Sequence, residues 1–161
     1  MSKRIVVVGG GVGGTMLANQ LVSKLYPEVS RGEVSVTLLS DSPDHYYKPA
    51  FMYVAFNLFF QEELKRPERS LLRPEIHFHV DKVTRFEFNS QELLTQQGKR
   101  YGYDYLVIAT GCLPAPERIE GLKEAGDHFY QYAPARQLAS RLSKIDKGPV
   151  SYTHLTLPTK A

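Results

Sequence analysis

Gly9-Gly10-Gly11-Val12-Gly13-Gly14 carries the strongest chemical signal in the chain, because Gly9, Gly11 and Gly14 space as G-x-G-x-x-G. Such a loop suits the pyrophosphate of a dinucleotide. Gly9 permits a tight turn, Gly11 lets the backbone approach the phosphates, and Gly14 allows a helix to pack closely on a strand. The free N–H groups at the start of that helix attract the anion. The matching ribose needs an acceptor at the end of the second strand, ordinarily a carboxylate. Here Ser40 stands at that end and Asp41 follows it, so the role falls to one or the other. The alternative for Asp41 is to cap a turn before Pro43. Cys112 is the single cysteine, which excludes a disulfide framework, a multi-cysteine zinc site and an intramolecular dithiol. His45, His77, His79 and His128 show no ligand spacing, so no metal is expected. Glu117 and Glu120 read as surface loop.

These groups need elements to hold them. Residues 4–8 form a continuous apolar run, Ile5-Val6-Val7-Val8 after Arg4, as in a strand buried on both faces of a parallel sheet. A helix over residues 13–25 is expected to bury Leu17, Leu21 and Leu25, and a second strand covers residues 34–39. Short strands follow at 76–80, 83–88, 92–95 and 99–101, punctuated by Asn89-Ser90 and Gln97-Gly98. Together they read as an antiparallel meander. His77 and His79 alternate along the first of them and are expected on a solvated side. Then comes Tyr103-Asp104-Tyr105-Leu106-Val107-Ile108-Ala109-Thr110-Gly111, a buried strand entering a second place where backbone approaches a ligand. Residues 135–145 are helical in spacing, with Leu138, Leu142 and Ile145 on one face, stopped by Gly148-Pro149. The fold class is α/β, a Rossmann-like parallel sheet with a small inserted antiparallel β-meander.

At 161 residues the chain suits one ordinary domain, and 42% hydrophobic content argues against disorder. Twenty Lys and Arg against 17 Asp and Glu give +3, but the cations are scattered rather than striped, so no nucleic-acid partner is expected. No apolar run reaches the roughly 18 residues of a membrane span, and no signal peptide pattern follows Met1. A cytoplasmic, soluble chain is the expectation.

The glycine loop, the meander and the YDYLVIATG string together resemble the FAD-binding half of two-dinucleotide-fold flavoproteins. Within that superfamily of pyridine nucleotide-disulfide oxidoreductases, Tyr46-Tyr47-Lys48-Pro49-Ala50 is similar to sulfide:quinone oxidoreductases and type II NADH dehydrogenases. The resemblance covers residues 3 to about 145 and implies FAD as cofactor. Matched by position, it implies Gly9, Gly11, Gly13 and Gly14 at the pyrophosphate and Ser40 at the ribose. It also implies Val83 as a backbone contact to adenine, Pro49 beside the isoalloxazine, and Ala109, Thr110 and Gly111 closing over the cofactor. For Val83 and Pro49, ordinary packing is the competing role.

The reaction it implies is FAD-dependent transfer of electrons from sulfide to a quinone. NADH or another NAD(P)H donor is the alternative, and a non-catalytic flavoprotein-like binding subunit is an alternative of another class. Disulfide reductases of the superfamily carry a cysteine pair after the second strand, yet residues 49–62 read PAFMYVAFNLFFQE. Phe51, Tyr53, Phe56, Phe59 and Phe60 suit a quinone site less well than a core. The resemblance would place a sulfide-oxidising cysteine near Tyr130-Gln131-Tyr132, where none stands. Two weak catalytic candidates remain. Lys48 would supply positive charge to the reduced ring, against a solvated role at a helix start. Cys112 would approach the cofactor, against the commoner role of a small buried thiol.

Residues 150–161, VSYTHLTLPTKA, break from the preceding pattern and read as a translated sequencing adapter. The expectation is a FAD-binding domain over residues 1–149, truncated from a larger enzyme, with an artefactual tail at 150–161. Membrane contact, peripheral and at the inner face, is then expected only through the missing C-terminal half.

Overall fold

The computed structural model describes residues 2–147. The suggested tail at 150–161 and the stop at Pro149 lie outside them. Lys3–Val8 (β1) leads through the glycine loop into Val12–Lys24 (α1), followed by the short helix Tyr26–Ser30 (α2) and Val34–Ser40 (β2). Asp44–Tyr46 (β3), the short helices Phe51–Ala55 (α3) and Gln61–Leu64 (α4), Lys65–Pro67 (β4) and Glu68–Leu71 (α5) form a compact excursion. His77–Val80 (β5) returns to the sheet. Val83–Glu87 (β6), Glu92–Thr95 (β7) and Arg100–Gly102 (β8) precede Tyr105–Ile108 (β9). Leu122–Ala125 (α6) and Tyr132–Leu142 (α7) end the described fold.

The main sheet has the order β5-β2-β1-β9, and all its pairings are parallel. The β-branched run of β1 is buried on both sides, as its sequence requires. Ile5 and Val7 pack with Ala18, Val22, Val36, Leu38, Leu72 and Ile76 beneath α1. Val6 and Val8 pack with Leu39, Leu93 and Tyr103 of the meander side. Each fully buried aliphatic side chain here contributes about 1.5–3 kcal/mol relative to exposure. The sheet is thus a central layer between helix and meander.

Four expectations need correction. Residues 77–80 are not the first strand of the meander. They pair in parallel with β2, from Thr37↔His77 to Ser40↔Val80, and the meander is β6-β7-β8 alone. A four-residue strand carries too little periodicity to choose its partner. Burial of Ile76 and packing of Phe78 in the core under α1 chooses it instead. The face of α1 is also rotated. Gly14, Thr15, Ala18 and Val22 are buried, while Leu21 and Leu25 only flank the cluster and Leu17 lies outside it. Small residues take the contact line because the helix starts so close to β1. The aromatic residues of the 51–60 stretch are mostly not core: Phe51, in the short helix Phe51–Ala55, is buried, but Tyr53, Phe56, Phe59 and Phe60 are exposed. Finally, β9 is an edge strand whose Tyr105 and Ile108 are exposed, rather than a buried one.

Helix α7 begins at Tyr132, earlier than its spacing suggests, and turns Ala135 and Ala139 inward, with Ile145 exposed beyond its end. Ala135 packs with Ala50, Phe51, Val54 and Leu64, and the Tyr132 ring meets Phe51 edge-on at 6.4 Å. This packing holds the 48–55 segment beside the mouth of the sheet. The strand pair β3-β4, antiparallel from Asp44↔Pro67 to Tyr46↔Lys65, has no sequence signal and forms from residues about 20 apart.

Asp104 fastens the two ends of the parallel unit. Its Oδ2 accepts the Arg4 N–H at 2.8 Å, and its own N–H donates to the Arg4 carbonyl at 2.9 Å. The Arg4 backbone N–H, assisted by the Arg4 side chain and Lys3, holds the Asp104 carboxyl below the usual range despite some desolvation. A carboxyl lowered by folding stabilises the fold above its ordinary pKa, and that stabilisation is lost as pH falls through the folded value. The melting temperature should therefore fall as pH drops below about 4. Asp104→Asn should flatten that acid limb in thermal denaturation followed by circular dichroism.

Candidate cofactor site

The C-terminal ends of β1, β2, β5 and β9 open onto one cavity of about 670 Å³. In the order β5-β2-β1-β9 the chain leaves β1 toward β2 on one side and β9 on the other. Open α/β sheets bind ligands at this kind of switch point. Gly9, Gly10, Gly11 and Gly13 line the cavity on the α1 side, Ser40 and Asp41 at the end of β2, and Ala109, Thr110 and Gly111 after β9. Asp81, Lys82 and Val83 line it between β5 and β6, and Lys48 reaches it from the 48–50 turn.

The glycines divide into two kinds. Gly9 has φ +115°, and a Cβ there would strike the Ala109 carbonyl, so two backbones cross with no room for a side chain. A Cβ on Gly14 would strike the Gly9 carbonyl oxygen, which is the close helix–strand approach expected of that position. By contrast, a Cβ on Gly11 or Gly13 would meet nothing within 4 Å. Their open side is where a phosphate group would come. Among the described residues, no protein acceptor pairs with the N–H groups of Gly10 or Gly11.

Ser40 is buried and aimed at the loop: a Cβ on Gly10 would stand 2.7 Å from its Oγ. Its Oγ also accepts the Ser42 N–H at 3.2 Å. Asp41 is exposed at the rim. One strand over, Asp81 is buried, its N–H donates to the Ser40 carbonyl at 2.8 Å, and its Oδ2 has no hydrogen-bond partner among the described residues.

Of the sequence candidates, Gly9, Gly11, Gly13, Ser40, Val83, Ala109, Thr110, Gly111 and Lys48 come together at this cavity. Gly14 lies behind it as packing. Pro49 is exposed and outside the lining, and Cys112 is also outside and exposed rather than a buried thiol. The exposure follows from position: Cys112 leaves the edge strand into the 111–115 loop, where no described residue covers it. His77 and His79 are exposed, the latter with its ring 5.5 Å from Tyr101. Glu117 and Glu120 lie on the surface. Missed were Gly10, whose lack of a side chain admits Ser40, and Asp81, whose burial depends on the meander. Missed as well was Glu68, which meets Thr15 and His45 behind the loop at 2.6 and 2.9 Å. Gly10 was legible as part of the loop; nothing local marks the other two. A second cavity of about 450 Å³, between the 114–119 loop, α6 and α7, has no glycine loop or strand ends.

The family model described as pyridine nucleotide-disulphide oxidoreductase matches residues 3–148, nearly the whole described fold. The chain belongs to this family. It is 33% identical over 121 residues to the mitochondrial sulfide:quinone oxidoreductase of Dictyostelium discoideum, covering 75% of this chain and 26% of that protein. It is 27% identical over 141 residues to a type II NADH:quinone oxidoreductase of Staphylococcus epidermidis, covering 87% of this chain and 34% of that one. The solved sulfide:quinone oxidoreductase of Aquifex aeolicus superposes with TM-score 0.75 at 29% identity, over 89% of this chain and 32% of its own. The chain therefore spans about a quarter to a third of the length of these relatives.

Membership of the family bears out the α/β fold and FAD as cofactor, and the relatives are flavin-dependent oxidoreductases. The residues present fit a dinucleotide: crossing backbones at Gly9, an open face at Gly11 and Gly13, and unpaired N–H groups. Among the described residues no helix is long and apolar enough to cross a membrane.

The two kinds of glycine separate in experiment. Gly11→Val, whose φ of −87° admits a side chain, should melt like the parent chain yet bind no FAD by flavin fluorescence quenching. Gly14→Ala should destabilise the fold itself by about 1–3 kcal/mol, as overpacking does. That corresponds to a melting shift of roughly 3–10 °C in a domain this size.

Proposed function

We propose that residues 1–149 are the FAD-binding unit of a flavin-dependent oxidoreductase that passes electrons from sulfide to a quinone. Supporting it most directly is the 33% identity over 121 residues to a sulfide:quinone oxidoreductase, together with the cavity at the strand ends. Residues 150–161 stand outside this unit. Contact with a membrane would be peripheral and made by segments beyond this chain, at the inner face.

FAD, when bound, supplies two-electron acceptance and donation, and the rest falls to the protein. Gly9, Gly11 and Gly13 admit the pyrophosphate to the N-terminus of α1. Ser40 serves the ribose in place of an acid, and the backbone at Val83 serves the adenine. Ala109, Thr110 and Gly111 close the opposite wall, with φ +72° at Gly111 turning the chain away from the sheet. Lys48, at the cavity edge, contributes positive charge where negative charge develops on reduction. In the overall reaction the donor gives up two electrons, and the quinone takes up two electrons and two protons.

NADH as donor is the second reading. It is favoured by the match to a type II NADH:quinone oxidoreductase over 87% of the chain. It gains further from the absence of cysteine near Tyr130-Gln131-Tyr132, where the resemblance places a sulfide-oxidising one.

The test is the protein encoded by the complete reading frame that contains this chain. It should purify yellow with releasable FAD and reduce a soluble quinone with sulfide; reduction with NADH alone would select the second reading, and a colourless protein would overturn both. Lys48→Met should lower the flavin reduction potential at unchanged FAD content. Cys112→Ala should leave sulfide-dependent quinone reduction at its full rate, because this exposed thiol lies outside the cavity.

A further inference from the structure

Behind the glycine loop lies a polar cluster that contributes nothing to the lining of the cavity. Glu68, the first residue of α5, is completely buried. Its Oε1 lies 2.6 Å from the Thr15 hydroxyl of α1, and its Oε2 lies 2.9 Å from Nδ1 of His45 on β3. His45 Nδ1 also stands 3.1 Å from the Gly10 carbonyl oxygen. A carbonyl can only accept, so Nδ1 carries the hydrogen and is shared between Gly10 and Glu68. The Thr15 hydroxyl is also 2.9 Å from the Gly11 carbonyl, so its one hydrogen is shared between Glu68 and Gly11, and the same carbonyl accepts the Thr15 N–H at 3.0 Å.

We propose that Glu68 is a positioning residue for the phosphate-binding loop, acting through His45 and Thr15 to aim the loop's N–H groups at the pyrophosphate of the cofactor. The inference rests on the FAD reading of the cavity. A trans peptide sets its C=O and N–H on opposite sides. Drawing the Gly10 carbonyl inward onto His45 turns the Gly11 N–H outward; drawing the Gly11 carbonyl onto Thr15 does the same for the Val12 N–H. A Cβ on Gly11 would meet nothing within 4 Å, which leaves room there for a phosphate group. Glycines would otherwise leave these peptide planes free to rotate, since they carry no side chain to restrict them. Glu68 holds both anchors at once, one with each carboxylate oxygen. It is delivered there by the β3-β4 pairing, which also ends in the Glu68 N–H donating to the Pro43 carbonyl at 2.8 Å.

Glu68→Leu and Glu68→Gln test the assignment on the 161-residue chain. The glutamine can accept from His45 with Oε1 and donate to Thr15 with Nε2, whose hydroxyl then serves Gly11. It should bind FAD within about twofold of the parent. The leucine should weaken FAD and ADP at least tenfold, about 1.4 kcal/mol, and leave adenosine unchanged, because only the diphosphate meets the loop. Relaxation of ¹⁵N at Gly11 and Val12 in the ligand-free chain should show order in the parent and the glutamine variant and mobility in the leucine variant. Should Glu68→Leu fail to melt cooperatively, His45→Phe, which removes the Gly10 donor, carries the same comparison. Equal loss for adenosine and ADP, a glutamine variant as weak as leucine, or an unchanged leucine variant would overturn the assignment. A parent chain that shows an ordered loop but binds no FAD would overturn the cofactor reading instead, with the relaxation comparison still deciding the role of Glu68.

Discussion

Backbone meets backbone at the centre of this molecule. The loop after β1 passes so close to Ala109 that Gly9 has no space for a Cβ, and α1 starts so close to β1 that Gly14 has none either. Much else follows from these two approaches. Because α1 sits tight on the sheet, its contact line must be small, which is why Gly14, Thr15, Ala18 and Val22 are buried and the larger leucines sit at its flanks. Because Gly9 crosses Ala109, the ends of β1 and β9 face one opening rather than two. The cavity is the space left when these backbones have come as near as they can.

A loop of glycines purchases proximity at the cost of rigidity. The chain answers with polar contacts from behind: His45 on Gly10, Thr15 on Gly11, and a buried carboxylate joining them. A buried polar group is tolerated where it is hydrogen-bonded, and both Glu68 oxygens are. The excursion between β2 and β5 contributes little to the main hydrophobic core. Its packing on α7 and its β3-β4 ribbon instead hold Lys48 at the cavity edge and Glu68 beneath the loop. A segment with little regular structure thus does two jobs of placement.

Length and composition, the buried β-branched run, the glycine spacing and the Ala109-Thr110-Gly111 ending were enough to state the α/β class, the dinucleotide loop and most of the cavity wall. Those features are local: each depends on residues within about ten positions, where strand periodicity and steric demand on glycine act directly. What the sequence did not decide were choices made by distant partners. The short strand His77–Val80 joined the parallel sheet because Ile76 and Phe78 found the core under α1. Alternation of leucines suggested one face for α1, and the close approach at Gly14 imposed another. Asp81 became a buried acid beside Ser40 only when the meander covered it, and Glu68 met Thr15 across 53 residues. Cys112 and Pro49 stand near the motifs in sequence, yet they lie outside the cavity because the chain turns away at Gly111 and at the 48–50 turn. Short-range sterics are written residue by residue, whereas burial and hydrogen-bond partnership arise only when separate segments share one interior.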